Sequence, residues 1–140
     1  MGQVTVTKVV EGPGHLVIKI DLLSDGTGEL ENYVVLSPSD LNPRAADKAP
    51  AFSLLQVWYG LVWFDVAIKS GTLAPAPMWT LPRDLDHIDF RSFGGIQDVN
   101  VYSNPPADDN GKLTISTNGF DQAGSSGTIV LELRKTSRAS

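Results

Sequence analysis

The chain has 140 residues, of which 41% are hydrophobic and 19% charged, with a net charge of −5 and no cysteine. This composition predicts one folded domain over residues 1–140 and excludes a disordered chain. The lack of cysteine excludes disulfides, thiolate nucleophiles and zinc–thiolate sites. Nucleic acid is not an expected partner, because phosphate binding needs a basic surface. No membrane partner is expected either, since no apolar run approaches the roughly 20 residues that span a bilayer. The N-terminus lacks the order of a signal peptide, which predicts synthesis in the cytoplasm.

The first part of the chain predicts three strands. Val and Thr alternate from Gln3 to Val10, with a change of phase at Val9. From His15 to Leu23 one face of a predicted strand is apolar, since every second residue is Leu or Ile: Leu16, Ile18, Ile20 and Leu22. The Asp- and Gly-containing residues 24–28 predict a turn, after which Glu31 to Leu36 returns as a third strand.

The segment 52–96 holds all three tryptophans and four of the five phenylalanines, so it should supply most of the core. A strand is predicted from Phe52 to Trp58. Tyr59-Gly60 permits a reversal, with Leu61 to Lys69 as the hairpin partner; a single long strand with a bulge at Gly60 is the alternative. Because both faces are apolar, the region is either central in a sandwich or partly buried against another subunit.

Short strands are also predicted later in the chain, at Met78 to Leu81, His87 to Phe93, Lys112 to Thr117 and Thr128 to Arg134. Residues 37–51 and 97–111 are polar or rich in proline and are predicted to be long loops. Eight or nine strands without an amphipathic helix predict an all-β fold. Its architecture is expected to be a single-domain antiparallel β-sandwich, jelly-roll-like, with long loops.

Two polar clusters contain residue types that can bind metal ions. His87 and Asp89 are two residues apart on a predicted strand, so they share a face, but the only other histidine, His15, is far upstream. Asp108-Asp109-Asn110-Gly111 lacks the ligand spacing of a calcium loop and predicts a hairpin turn. No serine lies in a nucleophile elbow and no pair of carboxylates stands out. We therefore expect no catalytic residue, no metal, no cofactor and no enzymatic activity.

The tryptophans admit two interpretations. Trp58, Trp63 and Trp79 could form a stacking platform for sugars, as in carbohydrate-binding sandwiches. The favoured interpretation places them in the core or in a subunit interface. The candidate interface residues are Leu55, Val57, Trp63 and Trp79.

Several segments resemble, in their order, a family of small structural proteins encoded in tailed-bacteriophage genomes. These segments are Glu11-Gly12-Pro13, the strand Leu54 to Trp58 with its Gly60 turn, Trp79-Thr80-Leu81, Asp89-Phe90-Arg91-Ser92-Phe93-Gly94-Gly95-Ile96 and the closing Thr128-Ile129-Val130-Leu131-Glu132-Leu133-Arg134-Lys135. The likeness covers most of the chain, and its motifs are structural rather than catalytic.

The resemblance implies a virion component, and we expect a capsid decoration (cement) protein on the outside of an icosahedral head. Its expected partners are the major capsid protein and its own copies in a homotrimer, and its expected location is the capsid surface after synthesis in the host cytoplasm. A head–tail connector or tail protein is the alternative within the same resemblance. A carbohydrate-binding β-sandwich module is the alternative outside it. The family varies in the loops, including 37–51 and 97–111, so capsid-contact residues are not carried over from it.

Overall fold

The computed structural model describes residues 2–12, 14–36, 50–70, 76–93, 95–97 and 112–137. Most of the two predicted long loops lies outside these residues, and so does the predicted hairpin turn at 108–111.

Ten antiparallel strands form two sheets within the described residues. The strands are β1 (Gln3–Glu11), β2 (His15–Leu23), β3 (Tyr33–Leu36), β4 (Pro50–Leu61), β5 (Asp65–Ser70), β6 (Ala76–Leu81), β7 (Leu85–Asp89), β8 (Ile96–Gln97), β9 (Leu113–Asn118) and β10 (Ser126–Ser137). Sheet A has the order β1-β2-β10-β4-β7, and β8 also pairs with β4. Sheet B has the order β3-β9-β5-β6. The described part of the chain contains no helix that is long and apolar enough to cross a membrane.

The alternating sequence pattern decides which face each strand buries. On β2 the side chains of Leu16, Ile18, Ile20 and Leu22 are at most 2% exposed, while the residues between them are partly or fully exposed. On β10 Ile129, Leu131 and Leu133 are completely buried in the same way. Both sheets contribute to a single hydrophobic core. The predicted all-β sandwich is confirmed, with nine strands of four residues or more and the two-residue β8.

The region from Phe52 to Leu61 is one strand, so the predicted hairpin at Tyr59-Gly60 is wrong. β4 pairs with β10 over its whole length, from Pro50 to Leu61. Gly60 remains inside the strand, opposite Leu85 of β7, and a Cβ at Gly60 would lie 3.1 Å from the Leu85 side chain. Because Gly60 has no side chain, the Leu85 side chain can lie against the backbone of β4. The bulge of β4 lies around Leu55, where the register with β10 shifts.

Of two further sequence predictions, one is confirmed and the other is wrong at the end of the strand. The change of phase at Val9 is confirmed as a β-bulge, because the register of β1 with β2 shifts between Lys8 and Val10. The strand predicted from His87 to Phe93 instead stops at Asp89 and continues as a 3-10 helix, Arg91–Phe93. The Asp89 carboxylate accepts a hydrogen bond from the Arg91 backbone N–H at 2.8 Å, which turns the chain out of the strand.

Candidate functional site

An open groove of about 810 Å³ lies at one end of sheet A. It forms where the last residues of β2 and β4 meet the first residues of β7 and β10, and the loop after β4 forms one wall. We call it the groove and define it by Gly60, Val62, Trp63, Leu85 and Thr128. A second hollow, of about 580 Å³, continues along the outer face of sheet A and shares Gly60, Leu85 and Thr128 with the groove.

The groove is lined by apolar side chains that remain accessible to solvent. Leu85 is 81% exposed, Trp63 62% and Val62 49%. Trp58, 38% exposed, extends this apolar surface into the second hollow. Single exposed apolar residues are ordinary on a protein surface, but a contiguous group of them marks a binding surface.

The Trp63 side chain is held outward by an unusual backbone conformation. Trp63 has φ +71°, in the left-handed region that bulky residues rarely adopt. On one side of it, the Val62 N–H donates to the Ser126 carbonyl at 3.1 Å. On the other side, Phe64 is fully buried and packs edge-to-face on Phe120, with ring centroids 4.8 Å apart. A conformation of this kind costs about 1–2 kcal/mol, which the packing of the neighbours has to offset.

A chain of contacts orients Trp58 beside the groove. Its ring stacks on the His87 ring, with centroids 4.8 Å apart and planes 4° from parallel. His87 Nε2 is 2.9 Å from the Gln56 side-chain oxygen, and the Gln56 amide nitrogen donates to Glu132 at 3.1 Å. Since that nitrogen donates to Glu132, the Gln56 side-chain oxygen is the acceptor of a hydrogen bond from His87 Nε2–H. The position of the Trp58 ring is thus set by its stacking on His87, which is itself held by Gln56.

The rim of the groove carries charged side chains. Arg83 is anchored by Asp65, which accepts from the Arg83 backbone N–H at 2.8 Å and from its Nε at 3.2 Å. The hydrogen bond from the Arg83 side chain lowers the pKa of Asp65. Asp84 and Asp86 flank Leu85 and accept from the N–H groups of the residues that follow them. An anchored cation and two carboxylates therefore border the apolar floor.

The structure separates the four candidate interface residues into two pairs. Val57 is completely buried in the core and Leu55 is only 6% exposed, so neither belongs to an outward apolar face. This corrects the expectation, and its cause is that β4 is covered on both faces in this part: every residue from Ser53 to Val57 is at most 6% exposed. Trp63 and Trp79 are 62% and 39% exposed and remain candidates.

Trp79 and Trp63 do not share one site. Trp79 lies on β6 in sheet B and packs edge-to-face on Phe90, with ring centroids 4.8 Å apart. Trp63 lies in the connection from β4 to β5, at the groove. Sequence reasoning also missed Leu85 and Val62. The signal for Leu85 was a single apolar residue within a run of charged ones.

His87 and Asp89 have other partners in this fold. The His87 ring is held by Trp58 and Gln56, as described above. Asp89 forms an ion pair with Arg91 at 2.8 Å, and the hydrogen bond from the Arg91 side chain lowers the pKa of Asp89 to about 2. Within the described ranges, no three His, Cys, Asp or Glu side chains are grouped so that they could hold a metal ion.

Comparison of the chain with protein-family models, curated proteins and solved structures finds no match. The fold and the groove define the class of structure: an all-β sandwich with an open, largely apolar groove at one end of its larger sheet.

Proposed function

We propose that this chain is a non-enzymatic virion protein that decorates the outside of a bacteriophage capsid. In this proposal it binds the lattice of the major capsid protein and stabilises the head. The observation that carries the proposal is the contiguous exposed apolar surface of the groove, formed by Val62, Trp63 and Leu85. An open surface of this kind suits a macromolecular partner, whereas small substrates are usually enclosed. The attribution to a virion rests on the resemblance of the segments 89–96 and 128–135.

The strand order is compatible with this proposal. Without β1 and β8, sheet A has the order β2-β10-β4-β7 and sheet B has the order β3-β9-β5-β6. We infer from this order a jelly-roll, in which two Greek keys fold into two four-stranded sheets. Double-sheet jelly rolls recur in viral capsid domains and in lectins.

Two separate surfaces suit the two expected partners. The groove with Trp63 is the proposed contact with the capsid lattice, and the surface around Trp79 on β6 is the proposed contact between copies in a homotrimer that assembles on the lattice. Closed cyclic symmetry is the usual way to bury such a surface. A protein that binds only the assembled lattice stabilises it by mass action, in the way a ligand stabilises a folded state.

The test uses phage heads that lack the protein, and measures which purified variants sediment with them. The wild type should bind the heads in many copies, and the double variant Trp63→Ser/Leu85→Ser should bind at least tenfold more weakly. Losses of about 1.4 kcal/mol, equal to a factor of ten, are common at the centre of an interface. Val34→Ser is the matched control, because Val34 is 37% exposed and lies on β3, away from the groove. Failure of the wild type to bind heads would overturn the proposal, and binding in a few copies only would favour a connector or tail role.

Carbohydrate binding is the second candidate, and the exposure of Trp63 beside polar groups favours it. Ser126, Thr128 and Asp84 also line the groove and could bond sugar hydroxyls while a sugar ring stacks on the indole. Titration of tryptophan fluorescence with a panel of glycans tests this candidate. Quenching that disappears in Trp63→Ser and persists in Trp79→Ser would support it, and an unchanged signal across the panel would exclude it.

A further inference from the structure

Within the described residues the two sheets have four edges: β1 forms one edge of sheet A, β7 and β8 form the other, and β3 and β6 form the edges of sheet B. A border strand presents backbone N–H and C=O groups that can pair with another chain. Natural proteins block such edges with short strands, proline, bulges or charged side chains. The four edges of this chain differ in how well they are blocked.

Three of the edges carry such devices. β3 has only four residues. β6 contains Pro77, which cannot donate a backbone hydrogen bond. β7 has five residues, among which Asp86 and Asp89 are exposed carboxylates. Each of these edges is therefore a poor template for another strand.

The edge at β1 is different. β1 has nine residues without proline, and in the described part of the chain it pairs only with β2. Its two charged residues, Lys8 and Glu11, lie 3.5 Å apart as an ion pair, so β1 has no net charge. The bulge at Val9 leaves the run from Gln3 to Lys8 in regular register with β2. This run is long enough to pair with a further strand.

The inner face of β1 is also incompletely covered. Val4 and Val6 pack against the core but are only partly buried. Beside them is a recess of about 300 Å³, lined by Val6, Lys8, Val35 and Leu36 of β1 and β3. A strand added to a sheet edge gains affinity from main-chain hydrogen bonds and specificity from pockets that accept alternate side chains. The recess at β1 can take such side chains.

We propose that β1 pairs with β1 of a second copy of this chain. The two strands run antiparallel across a twofold axis and join the two A sheets into one. β1 itself meets the requirements of the occupant, because valine alternates with threonine along Val4-Thr5-Val6-Thr7 and the strand brings no net charge. The register keeps the valines of both copies on the core side, since a slip of one residue would turn them to solvent. Val4 and Val6 of one copy then lie beside the recess of the other copy and enlarge its apolar surface. A twofold contact of this kind is isologous and closes on itself.

This pairing does not depend on the proposed virion function and is measured on the purified chain alone. The mass should rise with concentration from one chain of 15.0 kDa to two. The contact is small, so the dissociation constant should be on the order of 10–100 µM. Hydrogen exchange should show amides of β1 that are protected at high concentration and exchange after dilution.

Charge placed on the β1 edge tests the contact directly. The double variant Thr5→Lys/Thr7→Lys changes two exposed threonines and sets like charges against each other across the twofold axis. It should weaken self-association at least tenfold and leave the circular dichroism spectrum and the unfolding midpoint close to those of the wild type. The control Asn118→Lys/Gln122→Lys adds the same charge at exposed positions on β9 and in the loop that follows it, and it should associate like the wild type. A wild type that stays monomeric up to millimolar concentration would overturn the proposal. So would an oligomer that the β1 lysines leave intact.

Discussion

Replacing Glu29 with alanine should destabilise the fold by about 2 kcal/mol at neutral pH, although Glu29 lies in a loop and its side chain is exposed. Its carboxylate accepts hydrogen bonds from the Thr117 hydroxyl at 2.8 Å and from the backbone N–H groups of Gly119 and Phe120, each at 2.9 Å. These bonds hold the turn after β9 against the loop between β2 and β3. The same turn carries Phe120, whose ring is completely buried.

The size of this loss depends on whether water can replace the Glu29 carboxylate at each hydrogen-bond donor. A hydrogen bond to a charged group contributes about 1.5–3 kcal/mol, and a buried donor left without a partner costs about 1–3 kcal/mol. Water can take the place of the carboxylate at the exposed donors, so the loss of their hydrogen bonds should change the free energy of unfolding little. The Phe120 N–H is partly buried, and its lost bond should account for most of the 2 kcal/mol. Glu29→Gln keeps one acceptor oxygen and should lose about 1 kcal/mol.

The dependence on pH provides a second check. Burial alone would raise the pKa of Glu29, but the bonds from Phe120, Thr117 and Gly119 and the charge of Arg83 outweigh it and lower this pKa below 4.5. The carboxylate therefore adds stability that is fully present above pH 4.5 and is lost as the pH falls through the lowered pKa. The difference in unfolding free energy between the wild type and Glu29→Gln should accordingly shrink between pH 5 and pH 3.

Urea unfolding followed by tryptophan fluorescence, at pH 7 and at pH 3, measures both effects. Glu31→Ala, an exposed glutamate two residues away, is the control and should change the free energy of unfolding by less than about 0.5 kcal/mol. A loss below about 0.5 kcal/mol for Glu29→Ala at pH 7 would refute the reasoning. A gap between wild type and Glu29→Gln that is as large at pH 3 as at pH 7 would refute the electrostatic part of it.

Three further substitutions test the packing. Gly127→Ala should lose about 1–3 kcal/mol in urea unfolding, because the added Cβ would lie within 3.0 Å of three atoms, whereas Gly14→Ala has nothing within 4 Å and should be close to neutral. Leu131→Ala, at a completely buried position on the central strand β10, should lose about 2–5 kcal/mol, and a loss under 1 kcal/mol would contradict the described core. His87→Ala should lose about 1 kcal/mol and shift tryptophan emission to longer wavelength, because Trp58 loses its stacking partner; an unchanged spectrum would speak against the stack.

The strands that could be predicted from the sequence are those with one face to the core and one to solvent. On β2 and β10 apolar residues alternate with polar ones, so the pattern gave both the strand and its buried face. β4 is central and covered on both sides, so from Leu54 to Val57 apolar residues do not alternate cleanly. Without that signal, a hairpin and a continuous strand could not be told apart. For the same reason Val57 was placed on an outer face.

The groove could not be predicted because residues far apart in the chain form it. Gly60, Leu85 and Thr128 come together only through the pairing of β4 with β7 and β10. Trp63 was identified as a candidate from its residue type alone. Its outward orientation depends on a positive φ and on the anchoring of its neighbours, which no pattern in the sequence reports.

The position of β10 constrains the order in which the chain can fold. β10 follows all the other described strands in the chain, yet it lies between β2 and β4 in the middle of sheet A. Its residue Ile129 pairs with Ile20, more than 100 residues earlier. During synthesis one edge of β2 and one edge of β4 therefore stay unpaired until β10 has left the ribosome. Such late, long-range pairing slows folding and exposes open strands to aggregation, so the assembly of sheet A depends on the arrival of β10.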